Sequence, residues 1–529
     1  MLDLLLRNGL VIDGSGDPGR VADVGLRDGV IVSVGEIDEP ARRTLDVAGL
    51  VVAPGFIDMH AHSDLQLLLN PPHESKVHQG VTTELIGQDG LSYAPVSDAS
   101  LTELRVQLAG WNDDSYELHW DWRSVAQYLG RLDRNVAVNV AYLVPHGTVR
   151  LTVMGADDRP PTSAELDGMK ELVKTAIAEG AVGLSAGLTY TPGMYADDDE
   201  LVELCLAMRD ADARAFYCPH HRGYGKGAME AYGACIEIVR RAGVPLHIPH
   251  TSLPFAVNKG RAPELLALID RALADGVDIT LDLYPYNAGS TALFAFLPGW
   301  ARAGGTGATI ERLADLTLRE RLRTDFEVTG SDGFFGVPVD WSVIVVSDVG
   351  STAHRGFIGR SIAEGAELTG KRPIDFLCDL LLEEDLKVGA INHVGNEENL
   401  REILAHPVAC VGSDGILVGE RPHPRGFGTF ARILAVYVRE LELLTLEEAV
   451  RKLTALPARR LAVGRRGLVR EGFAADLCCF DPETVRDVAT YDNPRRLADG
   501  FPFVAVNGVL VVDDGLRTDA LPGRALVRS

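Results

Sequence analysis

The sequence predicts an α/β protein: a (β/α)8 TIM-like barrel in the middle of the chain, with a small β domain drawn from both termini. Two contrasts in residue pattern carry this prediction, and the placement of the histidines sharpens it. The middle of the chain alternates short apolar, β-branched runs with helical patterns, as parallel strands alternate with the helices that cover them. Candidate strands fall at 51–60, 81–87, 136–143, 181–188, 213–220, 244–250, 277–283 and 408–414. Helical stretches such as 163–179, 198–214 and 263–275 lie between them. Eight strands with intervening helices favour a closed barrel. A doubly wound open sheet is the alternative, and the glycine fingerprint of its dinucleotide-binding forms is missing.

The two ends read differently. Apolar runs at 4–6, 10–12, 24–26 and 30–32 are separated by Asn8-Gly9, Asp13-Gly14 and Asp28-Gly29, all hairpin signals. The C-terminal runs 475–480, 503–506 and 509–512 are split in the same way by Asn507-Gly508 and Asp514-Gly515. Both ends therefore belong to one β domain, expected over 1–52 plus 462–529, around a barrel over 53–461. The stretch from Ala288 to Pro407 is too long for one barrel connection. With a helical pattern at 310–323 and an apolar strand at 343–346, it predicts an inserted lid or subdomain over 289–345.

Composition narrows the class of partner. The 529 residues carry 51 basic against 75 acidic side chains, a net charge of -24, which repels nucleic acid and anionic lipid. A small-molecule substrate is the expected partner, and oligomeric state is unreadable. At 46% hydrophobic and 24% charged the chain is that of a globular protein. No apolar stretch is long enough for a membrane helix or a secretory signal. Seven cysteines without a CxxC pair argue against a disulfide framework, so a cytoplasmic location is expected.

The chemistry begins at Pro54-Gly55-Phe56-Ile57-Asp58-Met59-His60-Ala61-His62. Residues two apart on a strand face the same way, so His60 and His62 would aim together at the barrel mouth, as a metal site needs. Two histidines on a wet loop are the bland alternative, and the motif alone does not choose. Three further residues do. His220 and His250 each end an apolar run, thirty positions apart, and Asp414 ends the last one. Ligand-type residues thus stand at the C-terminal ends of the first, fifth, sixth and eighth strands, where barrel enzymes assemble sites. Core packing has no reason to choose that end repeatedly. His73, His78, His119, His354 and His406 are expected in loops or on the surface, and His221, His247 and His393 as neighbours of ligands.

With these residues in place the chain resembles the amidohydrolase superfamily and, within it, the N-acyl-D-amino-acid deacylases, or D-aminoacylases. The resemblance runs nearly end to end: the PGFIDMHAH segment, Gly80-Val81-Thr82-Thr83, the 183–188 run GLSAGL, the 283–291 run LYPYNAGST, the Gly412-Ser413-Asp414-Gly415 turn, and the 423–430 run HPRGFGTF. It implies the barrel, the small β domain, an insertion near the site, and Zn2+ as cofactor. It implies His220 and His250 as ligands of a tightly held zinc, and His60 and His62 as ligands of a second, weaker metal position. Asp414 matches the ligand that doubles as general base. Tyr284 and Ser290 match groups near the substrate carbonyl or carboxylate, and His423 and Arg425 lie in a loop bordering the substrate.

Two positions depart from the family pattern. Where a cysteine usually follows strand two, this chain has Asp89 within Gln88-Asp89-Gly90. A carboxylate can bridge metals in its place and makes the site harder, or it can simply stabilise a turn; Glu84 is a further candidate for the bridge. Where a lysine usually pairs with the substrate carboxylate, this chain has Ser252. Lys259, Arg222 or Arg425 are then candidates to supply the charge. The resemblance implies amide hydrolysis, with N-acyl-D-amino acids as leading substrates, and cyclic amides such as hydantoins or D-peptide-like amides as alternatives. A metal-free scaffold on the same fold is the rival from another class, and the retained ligands speak against it.

Overall fold

The computed structural model describes residues 1–114 and 118–528. Its centre is an eight-stranded parallel barrel whose strands follow chain order: β1 (Phe56–Asp58), β2 (Val81–Ile86), β3 (Asn139–Pro145), β4 (Gly183–Gly187), β5 (Phe216–His220), β6 (Leu246–Ile248), β7 (Ile279–Leu283) and β8 (Ala409–Val411). Every residue of these strands is buried, the mark of a sheet covered on both faces. The barrel shuts where the Met59 amide donates to the Val411 carbonyl at 3.3 Å and the Asp414 amide to that of His60 at 2.7 Å. Closure thus runs through the segments that carry His60 and Asp414.

The helices between the strands start where the sequence caps them. Thr162 accepts from the Glu165 amide, and the Glu165 carboxylate accepts from that of Thr162, opening the helix Ser163–Ala178. Asp197 caps Asp198–Ala211, and Pro263 sits in the first turn of Ala262–Ala274.

The expected first strand, 51–60, is two strands. Val51–Pro54 pairs with Leu2–Val11 and with Leu477–Phe480 in a separate sheet, whereas Phe56–Asp58 is β1. The chain changes sheets at Gly55, where a Cβ would lie 2.2 Å from the Thr82 side chain, so only glycine fits. Both pieces are wholly buried, and no polar residue marks the join. That separate sheet has nine strands from both ends of the chain, with Leu4, Leu6, Val24, Val47, Val52, Leu477 and Cys479 in its core. Asn507 ties it to the barrel, its amide donating to the Asn139 side chain at 2.8 Å.

A third sheet, antiparallel, holds Val388–Asn392 between Gly289–Ala292 and Ile344–Val349, so it runs past residue 345. The helical pattern at 310–323 is two helices, Gly305–Ala314 and Leu316–Thr324, broken at Asp315, which caps the second. Gly289–Ala292 brings Ser290 and Thr291 to the barrel mouth. All seven cysteines are free and buried. No helix among the described residues is long and apolar enough to cross a membrane.

Candidate metal centre

Six side chains converge at the C-terminal mouth. His220 is the last residue of β5; His60, His62, Asp89, His250 and Asp414 sit in the turns just after their strands. All are at most 7% exposed. Asp89, His250 and Asp414 have φ of +53°, +33° and +50°, left-handed backbone that aspartate and histidine tolerate better than most residues. These turns swing the three side chains back over the barrel. His60 and His62 lie past the end of β1 rather than on it. They still meet, because the His60 amide donates to Asp58 and that of His62 to the Gly415 carbonyl.

The Nε2 atoms of His60 and His62 are 3.3 Å apart. Asp414 Oδ1 lies 3.5 and 3.1 Å from them, and the two Asp89 oxygens 3.6 Å from each. His220 Nδ1 and His250 Nε2 are 2.9 Å apart, and each is 3.3 Å from an Asp89 oxygen. A tetrahedral zinc with bonds of about 2.0–2.1 Å needs ligand atoms about 3.3 Å from one another. The donor set therefore fits one cation among His60, His62 and Asp414, and groups His60, Asp89 and His250 as a second cluster, with His220 Nδ1 beside it. Asp89 lies between the pairs, with Oδ1 toward His60 and His250 and Oδ2 toward His62 and His220.

The electrostatics agree in part: burial opposes the charge on His250, yet Asp89, Asp414 and Asp282 raise it to about 9, so a cation would have to displace its proton. Burial holds His60 down at about 4, hence as a neutral ligand. Burial alone would raise the Asp89 carboxyl, but His220, His250 and His60 hold it well below its usual range. Burial opposes ionisation of Asp414 too, and Arg425 and His60 outweigh it.

Outer partners aim the rings. Thr189 Oγ1 lies 2.8 Å from His220 Nε2, and the Tyr224 hydroxyl 3.2 Å from His250 Nδ1, each on the ring nitrogen turned away from the centre. Asp282 accepts from the His250 amide at 2.9 Å and pairs with His247 at 2.8 Å. Under His60, Lys76 lies 2.6 Å from Asp58 and 2.7 Å from Glu84, and Glu84 also pairs with His73 at 2.9 Å. Glu84 is therefore committed to Lys76, His73 and Ser63, not to a metal bridge. His73, expected in a loop or on the surface, is fully buried in this network.

The amidohydrolase family model matches residues 43–512. The chain belongs to the amidohydrolase family. It is 37% identical to the N-acyl-D-glutamate deacylase of Alcaligenes xylosoxydans xylosoxydans, over 100% of this chain and 97% of that one. To the D-aminoacylase of the same organism it is 36% identical, over 100% and 98%. The crystal structure of the N-acyl-D-glutamate deacylase from Bordetella bronchiseptica, complexed with zinc and a phosphonate inhibitor that mimics the tetrahedral intermediate, superposes with a TM-score of 0.83. That pair is 34% identical and covers 99% of each chain.

In this amidohydrolase a cavity open to solvent leads to the centre. Tyr284, Ser252, Ser290 and Arg425 line it. Arg425 opens the helix Arg425–Arg432 and is 1% exposed. Its Nη1 lies 2.7 Å from Asp414 Oδ2, off the hydrogen-bond direction, its Nη2 donates to the Ser290 carbonyl at 3.1 Å, and its Nε–H has no partner. Its guanidinium also sits 4.6 Å from the Tyr284 ring centre.

Two expected substrate residues stay off the wall. His423 pairs with the Ala288 carbonyl at 3.0 Å and accepts from the Arg425 amide, so it braces the loop. Arg222 donates to the Ala196 carbonyl at 2.6 Å and pairs with Asp198, pointing away from the cavity. Lys259 is exposed and also off the wall. Sequence reasoning missed Trp111, whose ring packs 4.7 Å from that of His62, and Tyr190, which packs on both Trp111 and His220. Both sit in segments without a ligand-type motif. Tyr224, four residues after His220, had a weak positional signal.

Proposed function

We propose that this chain is a zinc-dependent hydrolase of the amide bond in N-acyl-D-amino acids. The observation that carries the reading is the meeting of two histidine pairs, Asp89 and Asp414 in one cavity whose wall also holds Tyr284 and Arg425. The D-series preference rests on the activities named for the relatives. Zinc held by His60, His62, His220, His250, Asp89 and Asp414 would polarise the scissile carbonyl and acidify the attacking water.

The side chains do the rest. Asp414, kept ionised by Arg425, takes the proton of the attacking water on a carboxylate oxygen and hands it to the departing nitrogen. Burial pushes the Tyr284 hydroxyl up, so it stays protonated and donates to the carbonyl oxygen as negative charge builds there. Arg425 offers its unpartnered Nε–H, and Ser290 and Ser252 polar atoms, to the substrate carboxylate. The domain limits 1–52 with 462–529 and 53–461, and a cytoplasmic setting suited to seven free thiols, belong to the same reading.

A hydrolysis screen over N-acyl-D- and N-acyl-L-amino acids, their amides and cyclic ureides, on protein of measured zinc content, tests it. Turnover of N-acyl-D-amino acids that tracks zinc is expected. Turnover of cyclic ureides alone, or none by zinc-loaded protein, defeats it.

A further inference from the structure

The far part of the cavity differs in character from the metal end. Beyond the centre its wall is built by Leu253, Pro254 and Phe255 after β6, by Phe296, and by Phe335. These rings form one packed set. Phe255 and Phe296 each stand about 5.5 Å from Phe334, at 5.4 and 5.5 Å between centres, and Phe335 stands 5.2 Å from Tyr224. Phe255 and Phe335 hold φ of +65° and +57°, a backbone conformation costly for a bulky side chain, so packing fixes their rings in place.

Charge is scarce along this wall. Among the described residues lining the cavity, Arg425 is the one arginine or lysine, and it already faces Asp414. Of the amides on this wall, Asn396 donates its side-chain NH2 to the Leu253 and Phe255 carbonyls and Asn287 donates to Glu397, while Asn392 is neutral and offers no charge. Lys259 and Arg222 lie off the wall, and Ser252 is neutral.

From this we infer, resting on the deacylase reading above, that the cavity selects N-acyl amino acids with uncharged, apolar side chains and rejects the dicarboxylic ones. The count of charges decides it whichever way the substrate lies. An N-acyl-leucine or N-acyl-phenylalanine brings one carboxylate to one guanidinium and an apolar group to the aromatic wall. An N-acyl-glutamate or N-acyl-aspartate brings a second carboxylate that has no cation and must leave water to enter. Kinship with an N-acyl-D-glutamate deacylase therefore does not extend to its substrate.

The test compares kcat/KM of the zinc-loaded protein for N-acetyl-D-leucine, N-acetyl-D-phenylalanine and N-acetyl-D-methionine with that for N-acetyl-D-glutamate and N-acetyl-D-aspartate. The apolar set is expected to win by at least about 100-fold. Calorimetry on the same holoenzyme gives a readout free of turnover: 4-methylpentanoate, the leucine skeleton without its nitrogen, should bind more tightly than glutarate. Ser252→Lys, which adds a cation to the wall, should narrow the kcat/KM ratio about tenfold or more by favouring the acidic substrates. Equal or better hydrolysis of the acidic substrates by the wild type overturns the inference and leaves the deacylase reading standing. Inertness towards every N-acyl amino acid overturns both.

Discussion

The two histidine pairs face each other across Asp89, and each has a backbone amide held by a buried carboxylate, yet the surroundings of the two pairs differ. His60 and His62 rest on buried charge: Asp58 holds the His60 amide, and Lys76 sits between Asp58 and Glu84 with no solvent access. His220 and His250 are steered mainly by neutral hydroxyls, Thr189 and Tyr224, with Asp282 fixing one backbone amide. A buried ionic cluster holds its members only while it is complete, because removing one partner strands the others in a low dielectric. A hydroxyl can be deleted at the cost of one hydrogen bond. The first pair is thus set by an all-or-none support and the second by separable ones. The same fold makes one half of its centre brittle and the other adjustable.

The sharpest way to break this comparison is Lys76→Met. It leaves Asp58 and Glu84 buried without their cation and should cost about 3–5 kcal/mol of stability. Chemical denaturation measures it, and a loss under about 1 kcal/mol would dissolve the contrast. Asp414→Asn should lower kcat by about 10²–10⁴-fold, since an amide cannot take the water's proton, and should also cost stability because it leaves the buried Arg425 without its carboxylate. Retention of more than about a tenth of wild-type kcat would remove Asp414 from that role.

Metal content probes the pairs directly. His220→Ala and His250→Ala should each lose the tightly held zinc, whereas His60→Ala should lose only a second, weaker equivalent. Elemental analysis after gel filtration decides, and full occupancy in either of the first two variants contradicts the ligand assignment. The smallest effect is expected for Tyr224→Phe, which frees His250 Nδ1 from its hydroxyl. It should weaken zinc by about tenfold at constant fold stability, read by chelator competition. A collapse of stability there would mean that the second pair is as brittle as the first.

How much of this was legible in the sequence follows from the physics of each part. Seven of the eight barrel strands lie within the expected runs, and the third, Asn139–Pro145, starts three residues into its run and ends two past it. The convergence of His220, His250 and Asp414 was legible because they close such runs, and strand ends in a barrel point at one place. The split at Gly55 was not, because a run buried in two successive sheets has no polar residue at the join. His73 and Lys76 were hidden for a related reason: a charged residue reads as solvent-facing until its buried partners are brought together from elsewhere in the chain. Arg222 and Arg425 look alike as candidate cations. Only tertiary structure shows that one is spent on the Ala196 carbonyl while the other opens a helix beside Asp414.

The pairing of Val51–Pro54 with Leu477–Phe480 also has a consequence in time. On the ribosome the first strand emerges about 420 residues ahead of its partner, a delay of about 20–85 s at about 5–20 residues per second. Throughout that interval the N-terminal hairpins present an unpaired strand edge that the native sheet later covers, and such edges recruit other chains. A folding helper that shields residues 51–54, or slow-folding conditions that favour capture of this edge, should therefore govern the soluble yield of the protein far more than the stability of the finished barrel does.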